Sequence, residues 1–162
     1  MAHMGQVIVS GRIMLRSFTK ADAEEYYAVA HDSQIKRYVP YSYTETLEDA
    51  VTLLDNYANV DFVNDFYYAI CNADTSQMVG AILAYRNSSF TLEVCAFVGR
   101  QFRGLGYCSQ ATMVFARHIA DSTPYTALNF AVKRSNSASR AIMRKLGFKC
   151  TAPEYFAYVL PR

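Results

Sequence analysis

Glu93-Val-Cys-Ala-Phe-Val-Gly-Arg-Gln-Phe-Arg-Gly-Leu-Gly-Tyr107 reads as a strand with alternating faces, then a short basic loop carrying Gly104 and Gly106, then the entry to a helix running to about residue 122. Cys108, Ala111, Phe115, Ala116 and Ile119 follow helical spacing, which gives that helix one face to bury. The two glycines therefore fall where a strand turns into a helix N-terminus. Such a junction suits an anion, because the first backbone N–H groups of a helix lack intrahelical partners and the aligned peptide dipoles leave partial positive charge there. Glycine lets the backbone approach a phosphate without a Cβ in the way. A G-x-G at a strand end also serves as a plain tight turn, and this one is neither common nucleotide fingerprint. The places of the Walker lysine and of the third dinucleotide glycine hold Tyr107 and Cys108 or Ser109.

Working outward, residues 12–17 alternate like a first strand, and Thr19-Lys-Ala-Asp22 opens a helix to about residue 30 in the manner of a capping box. Pro40 interrupts the next segment, which packs three tyrosines into six residues, Tyr38-Val-Pro-Tyr-Ser-Tyr43. Thr46-Leu-Glu-Asp49 opens a second helix, with Leu47, Val51 and Leu54 as its apolar face and a pattern that fades near Asn59. Apolar runs over 66–71 and 78–85 flank turn residues and predict an antiparallel hairpin, and a strand over 90–98 comes next. After the central helix, Pro124 punctuates, 127–132 is the next strand, and 137–146 is a short helix with Ala138, Ala141, Ile142 and Leu146 on one face. Gly147 caps that helix, and 155–160 is the last strand. No repeat or linker interrupts this order, so residues 1–162 read as one domain, with Met1-Ala-His-Met4 as an expression scar.

The 52% hydrophobic and 19% charged content is that of a folded domain rather than a disordered chain. The longest clear apolar run, 78–85, is far short of the ~18–20 residues of a membrane span, and the start lacks a secretory layout. Cys71, Cys95, Cys108 and Cys150 lie far apart in apolar settings without a C-x-x-C pair, which predicts buried reduced thiols and a cytoplasmic protein. His3, His31 and His118 have no ligand spacing, so no metal is expected. The net charge of +2 hides a division: residues 1–99 carry 6 Lys/Arg against 12 Asp/Glu, net −6, and residues 100–162 carry 10 against 2, net +8. The positive charge clusters on the glycine loop and over 133–149, where a phosphorylated cofactor would use it, and a cationic amine would favour the acidic half.

Gln101-Phe-Arg-Gly-Leu-Gly106 resembles the Q/R-x-x-G-x-G/A signature of the GNAT superfamily, the acyl-CoA-dependent N-acyltransferases. Asn136-Ser-Ala-Ser139 and Arg144-Lys-Leu-Gly-Phe148 resemble the N-x-x-S and K-L-G-F blocks of the branch that acetylates ribosomal-protein N-termini, and the separation of the blocks is similar. In order of elements the resemblance covers roughly residues 12–160, with its specific motifs between Glu93 and Phe148. Propensity alone gives an α/β or α+β domain. The resemblance implies a mixed, twisted, splayed central sheet with helices on both faces, and acetyl-CoA as acyl donor. It also implies that the backbone of Ala96, Phe97 and Val98 pairs with the pantetheine arm like an added strand. Phosphate binding falls to the backbone of Phe102, Arg103, Gly104, Leu105, Gly106 and Tyr107, behind Gln101, with the Arg100 and Arg103 charges nearby. Asn136 would contact the cofactor arm and Ser139 would stand near the sulfur.

Acyl transfer from a thioester to an amine requires a neutral amine, a stabilised oxyanion and a proton for the leaving thiolate. An amine with a pKa of ~8 (α-amino) or ~10 (side chain) must lose a proton, so a carboxylate acting directly or through water is useful. Glu93 is the candidate base. It stands fourteen residues inclusive before Gly106, where many family members carry a glutamate, although an isolated Glu near a strand start commonly serves only in solvation or a salt bridge. Many relatives protonate the thiolate with a tyrosine at the place held here by Met143, and this departure shifts the role to Ser139. Asn136 and Ser137 also suit plain helix capping, and Tyr107, Tyr155 and Tyr158 are reserve phenolic donors. The expected activity is acetyl transfer from acetyl-CoA to a primary amine, a protein N-terminus or a small molecule, by direct attack within a ternary complex. The alternatives are a non-catalytic acyl-CoA-binding or regulatory module and a nucleic-acid-binding domain using 100–149. Intact Glu93 speaks against the first, and the lack of aromatic residues interleaved with the 133–149 charges against the second. Amine recognition is expected from 31–65, and a monomer or homodimer without membrane contact is the expected state.

Overall fold

Eight strands form one sheet in the order β1-β2-β3-β4-β5-β6-β8-β7 in the computed structural model, which describes residues 6–161. The strands are β1 (Val7–Ser10), β2 (Ile13–Ser17), β3 (Asp65–Asn72), β4 (Met78–Arg86), β5 (Thr91–Val98), β6 (Ala127–Ala131), β7 (Lys149–Ala152) and β8 (Tyr155–Val159). Their neighbours run antiparallel except at β5–β6, which is parallel because α4 (Tyr107–Ser122) makes the crossover. The mixed α/β sheet with helices on both faces is therefore as expected. The proposed scar at 1–4 lies outside the described residues, and no helix among them is long and apolar enough to cross a membrane.

On one face α4 buries Ala111, Phe115 and Ile119 against Ile13, Leu15, Tyr68 and Ile70. On the other, α1 (Ala23–Ala30) and α3 (Leu47–Tyr57) bury Tyr26, Leu54 and Tyr57 against Ala69, Ala81 and Phe97. Each fully buried side chain of the size of Phe115 or Leu54 contributes about 2 kcal/mol. Tyr26 and Tyr57 meet edge to face at 5.8 Å, which suits the ring quadrupoles.

Several expectations need correction. The buried stripe of α3 is Ala50, Leu54 and Tyr57, whereas Leu47 and Val51 face outward; the small Ala50 lets α3 lie close against its neighbours. In α5 (Ser137–Lys145) only Met143 is buried, and Ala138 and Ala141 are exposed, because part of that face fronts a cavity instead of the core. Two edge strands, β1 and β7, and a helix, α2 (Ser33–Tyr38), are additional; each is too short to show a period, and β1 leaves Val7 and Val9 exposed. Of the four thiols, all free, Cys71 is buried, Cys95 and Cys108 are half-buried, and Cys150 lies exposed on the β7 edge.

The capping box at Thr19 is present, with its backbone N–H donating to Asp22 at 2.8 Å. Asp22 also accepts two bonds from Arg16 on β2, at 2.8 and 2.9 Å. Burial pushes the Asp22 carboxyl up, but Arg16 and Thr19 together outweigh it and hold it below its ordinary value. Asp22→Asn should therefore cost about 2 kcal/mol in urea unfolding, since it strands a largely buried guanidinium. A depressed carboxyl stabilises the fold above its unfolded value and loses that contribution as pH falls through the folded one. The difference between wild type and variant should accordingly shrink in acid.

Candidate active site

The β5–β6 ladder stops at Val94↔Phe130, yet β5 continues to Val98 paired only with β4. Beyond Phe130, Ala131 pairs with Tyr155 of β8, so the sheet splays between β5 and β6. The Gly99 N–H donates to Val79, and a Cβ on Gly80 would lie 2.0 Å from the Phe97 carbonyl, so both groups point towards β4. By alternation, Ala96 and Val98 direct their N–H and C=O into the gap, where an extended chain can pair with them.

A cavity of about 340 Å³ fills this gap and runs to the glycine loop. Among the predicted residues, Ala96, Phe97, Val98, Phe102, Arg103, Gly104, Gly106, Tyr107, Asn136 and Ser139 line it. Arg100, Gln101 and Leu105 do not; Arg100 is exposed, and the Leu105 carbonyl turns outward to accept from Arg12. Gly104 (φ 75°) and Gly106 (φ 84°) both adopt the left-handed conformation, and α4 begins without a side-chain cap. Its first N–H groups are thus presented to the cavity wall. Arg12 fixes the loop from the β1–β2 turn: its Nε donates to Gln110 at 2.9 Å and its guanidinium lies 4.1 Å from the centre of the Tyr107 ring. The Tyr107 hydroxyl accepts from the Asn72 side-chain amide at 2.8 Å, which fixes its position and leaves its own proton free.

Sequence reasoning missed the roof. α2 ties to both walls: Arg103 pairs with Asp32 at 3.1 Å, the Tyr38 hydroxyl donates to the Ser135 carbonyl at 3.1 Å, and Lys133 Nζ donates to the Arg37 carbonyl at 2.8 Å. Asp32 also caps α2 by accepting from the Gln34 N–H at 2.7 Å. Burial raises the Asp32 carboxyl, but Arg103 and the capped amides more than offset it. The legible signal was Asp32 followed by Lys36, Arg37 and Pro40, a cap, a basic last turn and a stop.

Ser139 and Asn136 line both the main cavity and a smaller chamber of about 50 Å³ that adjoins it. The Asn136 side chain accepts from the Ser139 N–H at 3.3 Å, so capping and cavity lining coincide. Glu93 is outside both spaces. It lies on the strand face of Cys95, which does line the chamber, two residues or about 7 Å along the strand. Its carboxylate accepts from Asn87 at 3.2 Å, and burial raises its pKa above the ordinary carboxylate value. Among the reserve phenols, Tyr158 stacks on Phe148 at 4.9 Å, and Tyr155 is half-exposed on β8. Among the described residues no group of three or more His, Cys, Asp or Glu is placed to hold a metal.

An open strand edge leading to an uncapped helix N-terminus, with Arg103 and Lys145 on the walls, suits a long anionic ligand. The acetyltransferase (GNAT) domain family matches residues 12–149. This chain belongs to the GNAT acetyltransferase family. Like other GNAT acetyltransferases it is an acyltransferase. A Bacillus subtilis (strain 168) protein named uncharacterized N-acetyltransferase YoaA is 22% identical over 153 residues, 90% of this chain and 84% of that protein. A GNAT-family acetyltransferase from Bacillus anthracis has the same fold, with a TM-score of 0.84 at 18% identity over 95% of this chain and 98% of that one. RimL, a ribosomal L7/L12 α-N-protein acetyltransferase solved in complex with coenzyme A, superposes with a TM-score of 0.77 at 14% identity, covering 96% and 98% of the two chains.

Proposed function

We propose that this GNAT acetyltransferase binds acetyl-CoA in the β5–β6 gap and transfers the acetyl group to a primary amine by direct attack within a ternary complex. The carrying observation is the continuity of the open β5 edge at Ala96 and Val98 with the uncapped start of α4. Backbone groups hold the arm, the glycine loop and Arg103 hold the phosphates, and Glu93 takes the amine proton. The ~7 Å step from Glu93 to the chamber leaves room for the amine itself or for one bridging water. A raised carboxyl is the better base at neutral pH, which favours catalysis over a purely binding module. The acidic first half, net −6 over residues 1–99, favours a cationic acceptor, and the fold likeness to RimL brings a protein N-terminus into the range of acceptors alongside small-molecule amines. The buried Cys71 thiol, pushed up to about 11 by burial, stays unreactive and suits a cytoplasmic setting.

Acetyl-CoA at a hundredfold excess over its dissociation constant should add about 2.7 kcal/mol to stability. Incubation with acetyl-CoA and a panel of polyamines, amino-sugar antibiotics and unacetylated N-terminal peptides should release free thiol with at least one acceptor, with a matching N-acetyl product by mass spectrometry. Stabilisation by acetyl-CoA without thiol release from any of them would favour the binding-module reading instead.

A further inference from the structure

The cleft has a phosphate end and a reactive end, and the two differ in what lines them. The main cavity holds Arg103, Gly104 and Gly106; the smaller chamber shares Ala96, Cys108 and Ser139 with it and is closed by Cys95, Met143 and Tyr41. A carrier whose phosphates lie at the glycine loop therefore ends its arm in that chamber. Met143, 3% exposed, offers only a thioether there, which donates no hydrogen bond. The Tyr38 phenol donates its one proton to the Ser135 carbonyl, and Lys133 directs one of its three N–H groups to the Arg37 carbonyl. Tyr41 is placed otherwise. The residue is 65% exposed, yet it lines the chamber together with Cys95, and its phenol is a hydrogen-bond donor.

The turn that presents Tyr41 is fixed on its C-terminal side. Ser42 is fully buried; its N–H donates to Val39 at 2.9 Å, its carbonyl accepts from Tyr26 at 2.7 Å, and its hydroxyl meets Tyr57 at 3.1 Å. With α2 tied to both walls of the cleft, the segment can hold a phenol over the chamber without packing its ring in the core.

Resting on the acetyl-CoA reading above, we propose that Tyr41 is a further catalytic hydrogen-bond donor to the departing CoA sulfur, supplied by the α2–α3 connection opposite Met143 and acting beside Ser139, which lines the same chamber. The amine nitrogen bonds to the acetyl carbon, the C–S bond breaks, and its electron pair stays on sulfur. The proton leaving nitrogen goes by way of Glu93 to solvent. Tyr41 keeps its own proton and stabilises the thiolate, which solvent later protonates. Desolvation on the side that lines the chamber, then the Cys95 thiol, raises the Tyr41 phenol above its ordinary value although most of the residue stays exposed, so it donates without ionising.

CoA and desulfo-CoA, which lacks the thiol, separate this role from a structural one and require no knowledge of the acceptor. In wild-type protein the ultraviolet thiolate absorbance of bound CoA, with the desulfo-CoA complex as blank, gives the pKa of the bound thiol. Tyr41→Phe should raise that pKa by about one unit, equivalent to tenfold weaker binding of the thiolate, and leave desulfo-CoA affinity within about twofold, because hydroxyl removal from an exposed ring disturbs little else. An unchanged thiol pKa in the variant overturns the proposal, as does an equal loss of affinity for both ligands, which would make Tyr41 a packing residue. Failure of wild-type protein to bind either ligand overturns the acetyl-CoA reading and this role with it.

Discussion

Glu93→Gln is expected to lower turnover by about 10²-fold or more while leaving acetyl-CoA affinity unchanged. The amide keeps the size of the side chain and an oxygen for the Asn87 bond at 3.2 Å, so the strand is undisturbed and only the proton acceptor is lost. Affinity is retained because Glu93 lies outside the cavity. Burial raises the Glu93 carboxyl, and a base must be ionised to act, so the acid limb of kcat/KM in wild type should fall above the ordinary carboxylate range and vanish in the variant. The deficit should be largest at neutral pH, where the amine is mostly protonated, and should shrink as alkali deprotonates it in solution. Wild-type turnover for the variant across the pH range would make the carboxylate structural and leave positioning of the two substrates as the source of catalysis.

Gly104→Asp should weaken acetyl-CoA binding by about 10²-fold in a protein that still folds. An added Cβ at Gly104 meets nothing within 4 Å, and the residue lines the cavity, so the carboxylate enters the space proposed for phosphate. The left-handed φ of 75° costs about 1–2 kcal/mol for a residue with a side chain, less for Asp. Two like charges about 5 Å apart at an effective dielectric of about 20 repel by about 3 kcal/mol, which is roughly the stated factor. Gly104→Ala is the control: it carries the backbone strain without the charge, and should bind within about fivefold of wild type in calorimetry. Equal losses in both variants would mean that backbone conformation, not charge, governs the site.

The centre of this site is readable because its signals are local. An alternating strand, two glycines and the spacing Ala111, Phe115, Ile119 each depend on near neighbours, and each element stands where the pattern puts it. What is not readable depends on tertiary placement. α2 is six residues long and owes its position to Arg103, Ser135 and Lys133, partners about 70 to 100 positions away. The face of α5 misleads because Ala138 and Ile142 front a cavity, and a cavity-lining stripe has the same period as a core stripe. In the sequence Tyr41 is only one of three tyrosines near Pro40; it acquires meaning by lining one chamber with Cys95 and Met143, which lie on other elements.

The most direct test of the account is a calorimetric titration of acetyl-CoA into the wild-type protein. Saturable binding of one molecule per chain, with micromolar affinity and a negative heat-capacity change from apolar burial along the β5–β6 gap, is the predicted result. Absence of binding at millimolar acetyl-CoA would contradict it, because the open strand edge, the left-handed glycines and the uncapped start of α4 would then have no ligand in common.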